Sequence, residues 1–221
     1  MEISKYIEFL RKAINNVKDI YFGNQEWIDS MLNAHNIESH DKRRKALIPY
    51  LSMHHERVFC YELYHQLRKI MEHNKLKENV ILQAELRKAQ VGSEVEQLFE
   101  LKSIDGVYYP DFLIHEPHTN DNQDLIIEVK ANPRLTVKDM KKDILKIDQF
   151  INRYEYKKGI FLAINIKEDK LNQLLSNAEL LECLKEQVTC QEEILLMFKE
   201  SATKPIISKN LAKLLLNEGK K

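Results

Sequence analysis

The sequence predicts an α/β fold, a mixed central β-sheet flanked by helices, with an N-terminal helical extension. Three observations lead there. Short runs rich in β-branched and aromatic residues alternate with longer runs in which apolar residues recur every three or four positions. Hydrophobic residues make up 43%, enough for a real core, and 31% charge suits a solvated surface. With five glycines and five prolines in 221 residues, no flexible interdomain linker is evident. Lysine plus arginine equal aspartate plus glutamate at 34 each, so net charge speaks neither for nor against nucleic acid. The three cysteines, Cys60, Cys183 and Cys190, show neither paired nor zinc spacing. With no signal peptide and no apolar run of transmembrane length, the expected compartment is the reducing cytoplasm.

Taken in order, residues 2–22 read as a helix with Ile3, Ile7, Leu10, Ile14, Val17 and Ile20 on one face, ended by Gly23-Asn24. A short second helix over 25–35 carries Trp27 and Met31, and Ser39–Lys45 reads as a polar, basic link. This places a helical extension at 1–53 and the main domain at 54–221. The next helix, 54–73, has its apolar stripe at Phe59, Cys60, Leu63, Leu67 and Ile70. On a wheel of roughly 100° per residue, Glu56 falls on that stripe at its N-terminal end and Glu62 at its edge, beside Gln66. Residues 80–87 make a candidate strand, with Leu82, Ala84 and Leu86 on one face and Gln83 and Glu85 on the other.

The chain is organised around two apolar runs, Val107–Pro117 and Asp124–Ala131, joined by the polar turn His118–Gln123. After Pro133, residues 137–154 form the clearest amphipathic helix, with Val137, Met140, Ile144, Ile147, Ile151 and Tyr154 recurring strictly. Residues 159–166 read as a buried strand, 168–187 as helical, 193–199 as a strand and 208–217 as a closing helix. The order is thus helix, three strands, helix, strand, helix, strand.

Three charges sit in the central runs against packing logic. Asp111 follows Pro110 directly, and Glu128 and Lys130 are two apart, which puts both on one strand face opposite Ile127, Val129 and Ala131. A charge flanked by aliphatics is costly to bury alone, and a metal ion or phosphate would be a suitable partner. Magnesium favours carboxylate oxygens and retained waters. Carboxylates with a lysine at one point therefore suit phosphodiester hydrolysis without a serine, histidine or cysteine nucleophile.

Pro110-Asp111, sixteen residues, then Glu128-Val129-Lys130 resembles the PD-(D/E)XK signature of restriction-endonuclease-like nucleases. The likeness covers roughly residues 54–166, and the order of elements around the motif matches that family's core. The resemblance implies a restriction-endonuclease-like core and a Mg²⁺ or Mn²⁺ ion held by Asp111 and Glu128, with the carbonyl of Val129 as a further ligand. Lys130 would position or activate water. It also implies a glutamate from the first core helix, Glu56 or Glu62, and a polar residue from the preceding strand, Glu85 or Gln83. Glu62 is favoured, because it is mid-helix and capping cannot explain it. The following helix offers Asp143 and Lys146.

The expected activity is metal-dependent hydrolysis of phosphodiester bonds, in DNA first, in a setting of defence, restriction or repair. The alternative is a non-catalytic nucleic-acid or protein interaction module on the same fold. Candidate nucleic-acid contacts are Arg134, Lys138, Lys141 and Lys142 after the motif, and Arg43 and Arg44 within Lys42–Lys45. A second copy of the chain or a targeting protein is a further candidate partner, since no sequence-reading motif such as a helix-turn-helix is attached. His54, His55, His65 and His73 read as solvated surface residues, His115, four residues on along the Asp111 strand face, as either a substrate contact or a hydrogen-bonded structural residue, and Tyr108 and Tyr109 as packing residues.

Overall fold

Strand β6 (Lys158–Ile164) holds the centre of the sheet because its sequence offers nothing to solvent: from Gly159 onward every residue is buried. Such a run belongs to a strand covered on both faces. Its neighbours β5 (Leu125–Lys130) and β7 (Ile194–Lys199) run parallel to it. Outside these, β4 (Phe112–His115) pairs antiparallel with β5, β1 (Ile81–Ala84) with β4, and β8 (Ile207–Asn210) with β7. The result is a six-stranded mixed sheet in the order β1-β4-β5-β6-β7-β8. Two short strands, β2 (Lys88–Ala89) and β3 (Val107–Tyr108), pair separately. The computed structural model describes residues 2–22, 25–38, 41–74, 79–85, 88–89, 107–117, 122–132 and 135–218. Among them no helix is long and apolar enough to cross a membrane.

Side-chain alternation divides the core between the two sheet faces. Phe112, Ile114, Ile127, Val129, Ile160 and Leu162 pack on α1 (Glu2–Asn16) and α3 (Lys42–His73), which contribute Tyr6, Leu10, Phe59, Leu63 and Leu67. The opposite set, Leu113, Ile126, Phe161, Ala163, Leu196 and Phe198, packs on α4 (Val137–Tyr154), α5 (Glu168–Leu175), α6 (Ala178–Gln187) and α7 (Leu211–Glu218). Each fully buried Leu, Ile or Phe here contributes about 1.5–3 kcal/mol relative to exposure. Helix α4 is the expected amphipathic helix, and it starts on a capping box in which Thr136 and Asp139 bond reciprocally. It lies close on β6 at Gly159, where a Cβ would stand 2.1 Å from Ile147 Cγ2. Any side chain at that position would force Ile147 to shift.

Several elements differ from expectation. The first helix ends at Asn16, where Asn15-Asn16 are weak helix formers, and Lys18 is extended before a 3-10 turn at Asp19–Tyr21. That extended residue resets the period, so Ile20, expected on the apolar face, is 78% exposed. The basic run expected as a link is the first turn of α3, because Asp41 caps it by accepting the Arg43 N–H. The helix then continues through Pro49, so the boundary expected at 53/54 falls inside α3. Helix α1 shares its core with the sheet and is not an appendage to it. The short helix α2 (Gln25–Ala34) is tied to α3 by Arg44.

The expected strand at 107–117 is split. Pro110 has no N–H to donate, and pairing passes from β3 to β4 across Tyr109-Pro110-Asp111. The expected helix over 168–187 is two helices, broken at Ser176-Asn177, where Asn177 accepts the Leu180 N–H. Ser208–Asn210, expected to be helical, lies in β8. Ala84 is exposed although Leu82 on the same strand face is buried, and Leu86 lies outside the described residues.

Candidate functional site

Asp111 and Glu128 are brought together by register. Phe112 lies opposite Ile127 in the β4–β5 ladder, so one step back sets Asp111 beside Glu128 on the same sheet face. With Pro110 ending the ladder, the Asp111 carboxylate takes a backbone donor itself, accepting the Val129 N–H on Oδ2 at 2.7 Å. Burial pushes the Asp111 carboxyl up to about 6, and the charge of Glu56 adds to this. The Val129 N–H, Lys130 and Lys146 oppose it without cancelling it.

Glu128 is 1% exposed. Its Oε2 accepts a hydrogen bond from Lys146 Nζ at 2.5 Å, while its Oε1 is buried and has no protein partner. Burial, and then the charge of Asp111, raises its pKa well above the ordinary glutamate range against the pull of Lys146. Lys130, at the end of β5, places Nζ 3.1 Å from Asp143 Oδ2, 3.5 Å from Glu56 Oε1 and 3.2 Å from the Val129 carbonyl. Burial works to lower the Lys130 ammonium, but Asp143, Glu56, Asp111 and Glu128 outweigh it and push its pKa up.

The helical acid at this point is Glu56. Its Oε2 accepts the Ala131 N–H at 3.0 Å, tying α3 to the end of β5. Glu62, the favoured candidate, instead accepts from Gln66 Nε2 at 2.7 Å on its own helix. The wheel explains the outcome. Glu56 precedes the buried Leu63 and Leu67 by seven and eleven positions and shares their azimuth, whereas Glu62 is turned about 100° from Leu63.

Helix α4 supplies the rest. Asp143 lies three residues after Met140 and four before Ile147, inside the buried stripe, and is 3% exposed. Lys146 is 3.7 Å from Asp143 Oδ1, so Asp143 stands between the two lysines. Both residues were expected from this helix only through the family resemblance; of the two, Asp143 lies inside the apolar stripe and Lys146 beside it. Cys60 was not expected near the acids, having read as a small core residue. It stands one turn after Glu56 on α3, and its thiol is raised by burial and then by Asp111 and Glu56.

Four carboxylates, Asp111, Glu128, Asp143 and Glu56, thus face two ammonium groups, leaving a formal surplus of two negative charges. Among the described residues no three His, Cys, Asp or Glu side chains gather as a ready-made metal cage. Magnesium is commonly bound through one or two carboxylates with waters completing its shell. Hard oxygen donors, the charge surplus and the open Glu128 Oε1 fit such an ion.

Other candidates lie elsewhere. Gln83 Oε1 and His115 Nε2 are 2.8 Å apart, and His115 is 3% exposed, a structural pairing of β1 with β4. Glu85 is exposed with φ 49°, just past β1, and its N–H donates to the Asp111 carbonyl. Arg43 is engaged by Asp41 on the surface. Arg44 is 9% exposed and bonded to Asp29, Asn33 and the Ile37 carbonyl, which leaves it holding helices together. Arg134 lies outside the described residues. Lys138 and Lys142 are exposed one turn apart, leading along α4 to Lys146, whereas Lys141 lies against Cys183 of α6. Tyr108 packs edge-on against Phe150 and Tyr109 is 54% exposed. His65 and His73 are exposed. No family model matches this chain, and no curated protein or solved structure matches it either.

Proposed function

We propose that the chain is a Mg²⁺- or Mn²⁺-dependent nuclease with a restriction-endonuclease-like core, hydrolysing phosphodiester bonds, in DNA first. The observation that carries this is the pairing of Asp111 with Glu128 by strand register, with Glu128 Oε1 buried and open within a cluster of surplus negative charge. Asp111 and Glu128 would hold the ion, with the Val129 carbonyl beside them. When bound, the ion would lower the pKa of a water and neutralise charge on the transferring phosphoryl group.

The protein's own groups then have distinct tasks. Lys130, whose pKa is raised by the surrounding acids, stays an ammonium at neutral pH. It therefore acts as a donor that orients water and offsets developing negative charge, not as a general base. Glu56 and Asp143 hold that ammonium in place. Lys138 and Lys142 set positive charge on the approach along α4, where a phosphate backbone would be attracted.

The test is direct cleavage by the purified chain. Single-stranded, duplex and branched DNA, with matched RNA, are incubated with Mg²⁺ or Mn²⁺. Cleavage is expected, with loss in EDTA and a fall of about 10² or more in Lys130→Ala. Cleavage that survives EDTA would sink the reading. One observation favours the alternative of a non-catalytic module: Lys146 already occupies Glu128 Oε2, and Lys130 the Val129 carbonyl. Nucleic-acid binding with no cleavage, indifferent to EDTA and to Lys130→Ala, would decide for it.

A further inference from the structure

We infer that Lys146 is a built-in substitute for the divalent ion, supplying to Glu128 the compensating charge that the ion would supply. It thereby keeps the acidic cluster assembled whether or not an ion is bound. The inference rests on the metal-site reading above and extends it to how that site responds to its ion.

Glu128 is almost wholly removed from water, and its ion pair is with Lys146. The motif lysine does not serve it: Lys130 is taken up by Asp143, Glu56 and the Val129 carbonyl. Lys146 is itself drawn in, its side chain 12% exposed, although Lys142 one turn earlier on α4 is exposed. Asp143 Oδ1 holds it from the other side. The contact uses only Oε2, and the buried Oε1 is left without a hydrogen-bond partner, so the ion pair does not take up the whole carboxylate.

A buried carboxylate that has lost its hydration requires a nearby positive charge. An ammonium and a divalent ion meet the same requirement at the same group, so their contributions to the fold overlap. Overlapping contributions show as coupling: removal of one makes the other matter more. With Lys146 present, the ion is needed for chemistry and adds little to folding. Without Lys146, the ion becomes a structural requirement.

The experiment is thermal unfolding of the full chain and of Lys146→Met, each in EDTA and in Mn²⁺, with Mn²⁺ binding followed by electron paramagnetic resonance. In EDTA the variant is expected to melt about 10 °C below the unaltered chain, as removal of one partner of a buried pair implies. Mn²⁺ should restore most of that difference while raising the unaltered chain by only a few degrees (about 2–4 °C). Equal Mn²⁺ shifts in both proteins, with Mn²⁺ bound by both, overturn the role of Lys146 and leave the metal site standing. No bound Mn²⁺ in either overturns the metal site and this inference together. If Lys146→Met fails to fold in both buffers, Lys146→Gln, which keeps a donor for Oε2 without the charge, is judged by the same criterion.

Discussion

The two ends of β5 each bury an acid against a lysine, and they do so in different ways. At the N-terminal end, Asp124 is fully buried and meets Lys157 at 2.6 Å, a single acid against a single lysine whose side chain is 43% exposed. At the C-terminal end, Glu128 meets Lys146 within a group of four acids and two lysines from α3, α4 and two strands. Each of these two buried acids has one carboxylate oxygen without a hydrogen-bond partner, Asp124 Oδ2 and Glu128 Oε1. An open oxygen by itself therefore does not distinguish a site. Convergence does, because only at the Glu128 end do acidic side chains outnumber lysines among the described contacts, and only there does a second acid face the first by register.

The sharpest way to break this comparison is to neutralise each acid in turn. Glu128→Gln should lower metal-dependent cleavage by about 10³ in a single-turnover assay. Asp124→Asn should leave the rate within about twofold, and lower stability by only about 1 kcal/mol, since Lys157 is half in solvent. Equal losses of activity would mean that the two ends are not functionally different.

A pH series asks the same question through Asp111, whose carboxyl is pushed up to about 6 by burial. Only the ionised form is a metal ligand, so cleavage should rise with pH through about 6, with at least about a tenfold deficit at pH 5, Glu128 acting in the same direction. The stability effect has the opposite sign. A carboxyl raised by folding favours the protonated native state, so in EDTA its contribution is full below the unfolded value of about 3.9. It is lost as pH climbs through that value toward about 6. Melting temperatures across pH 3–7, flattened in Asp111→Asn, check this part. A cleavage profile that stays flat from pH 5 to 7 would remove Asp111 from the ionic site.

The smallest expected effect separates the two helical acids. Glu56→Gln keeps an acceptor for the Ala131 N–H but removes a charge beside Lys130, so a loss of about tenfold or less is expected, mostly in kcat. Glu62→Gln should be silent, because Glu62 bonds only to Gln66 on its own helix among the contacts described. A silent Glu56→Gln paired with a damaging Glu62→Gln would reverse the assignment.

The sequence by itself determined those features that depend on local period. The amphipathic helix at 137–154, the buried strand read at 159–166 and found at Lys158–Ile164, and the alternation that sets Glu128 and Lys130 on one face are all legible along the chain, because period 3.6 and period 2 leave different marks. The anomalous charges were legible too, because a charge within an apolar run stands out: Asp111, Glu128 and Lys130 on the strands, whereas Asp143 was expected only through the family resemblance.

Tertiary structure decided which of those charges meet. The Asp111–Glu128 pairing needs the register of β4 on β5, which no local pattern contains. The wheel alone put Glu56 on the buried stripe of α3, but its bond to the Ala131 N–H depends on where α3 meets the end of β5. The division of two lysines among four acids was likewise settled by where α4 lands on β5, an approach that Gly159 permits by lacking a side chain. Local period fixes which face a residue takes, but packing between distant segments fixes what lies opposite that face, and the make-up of the acidic cluster depends on the second.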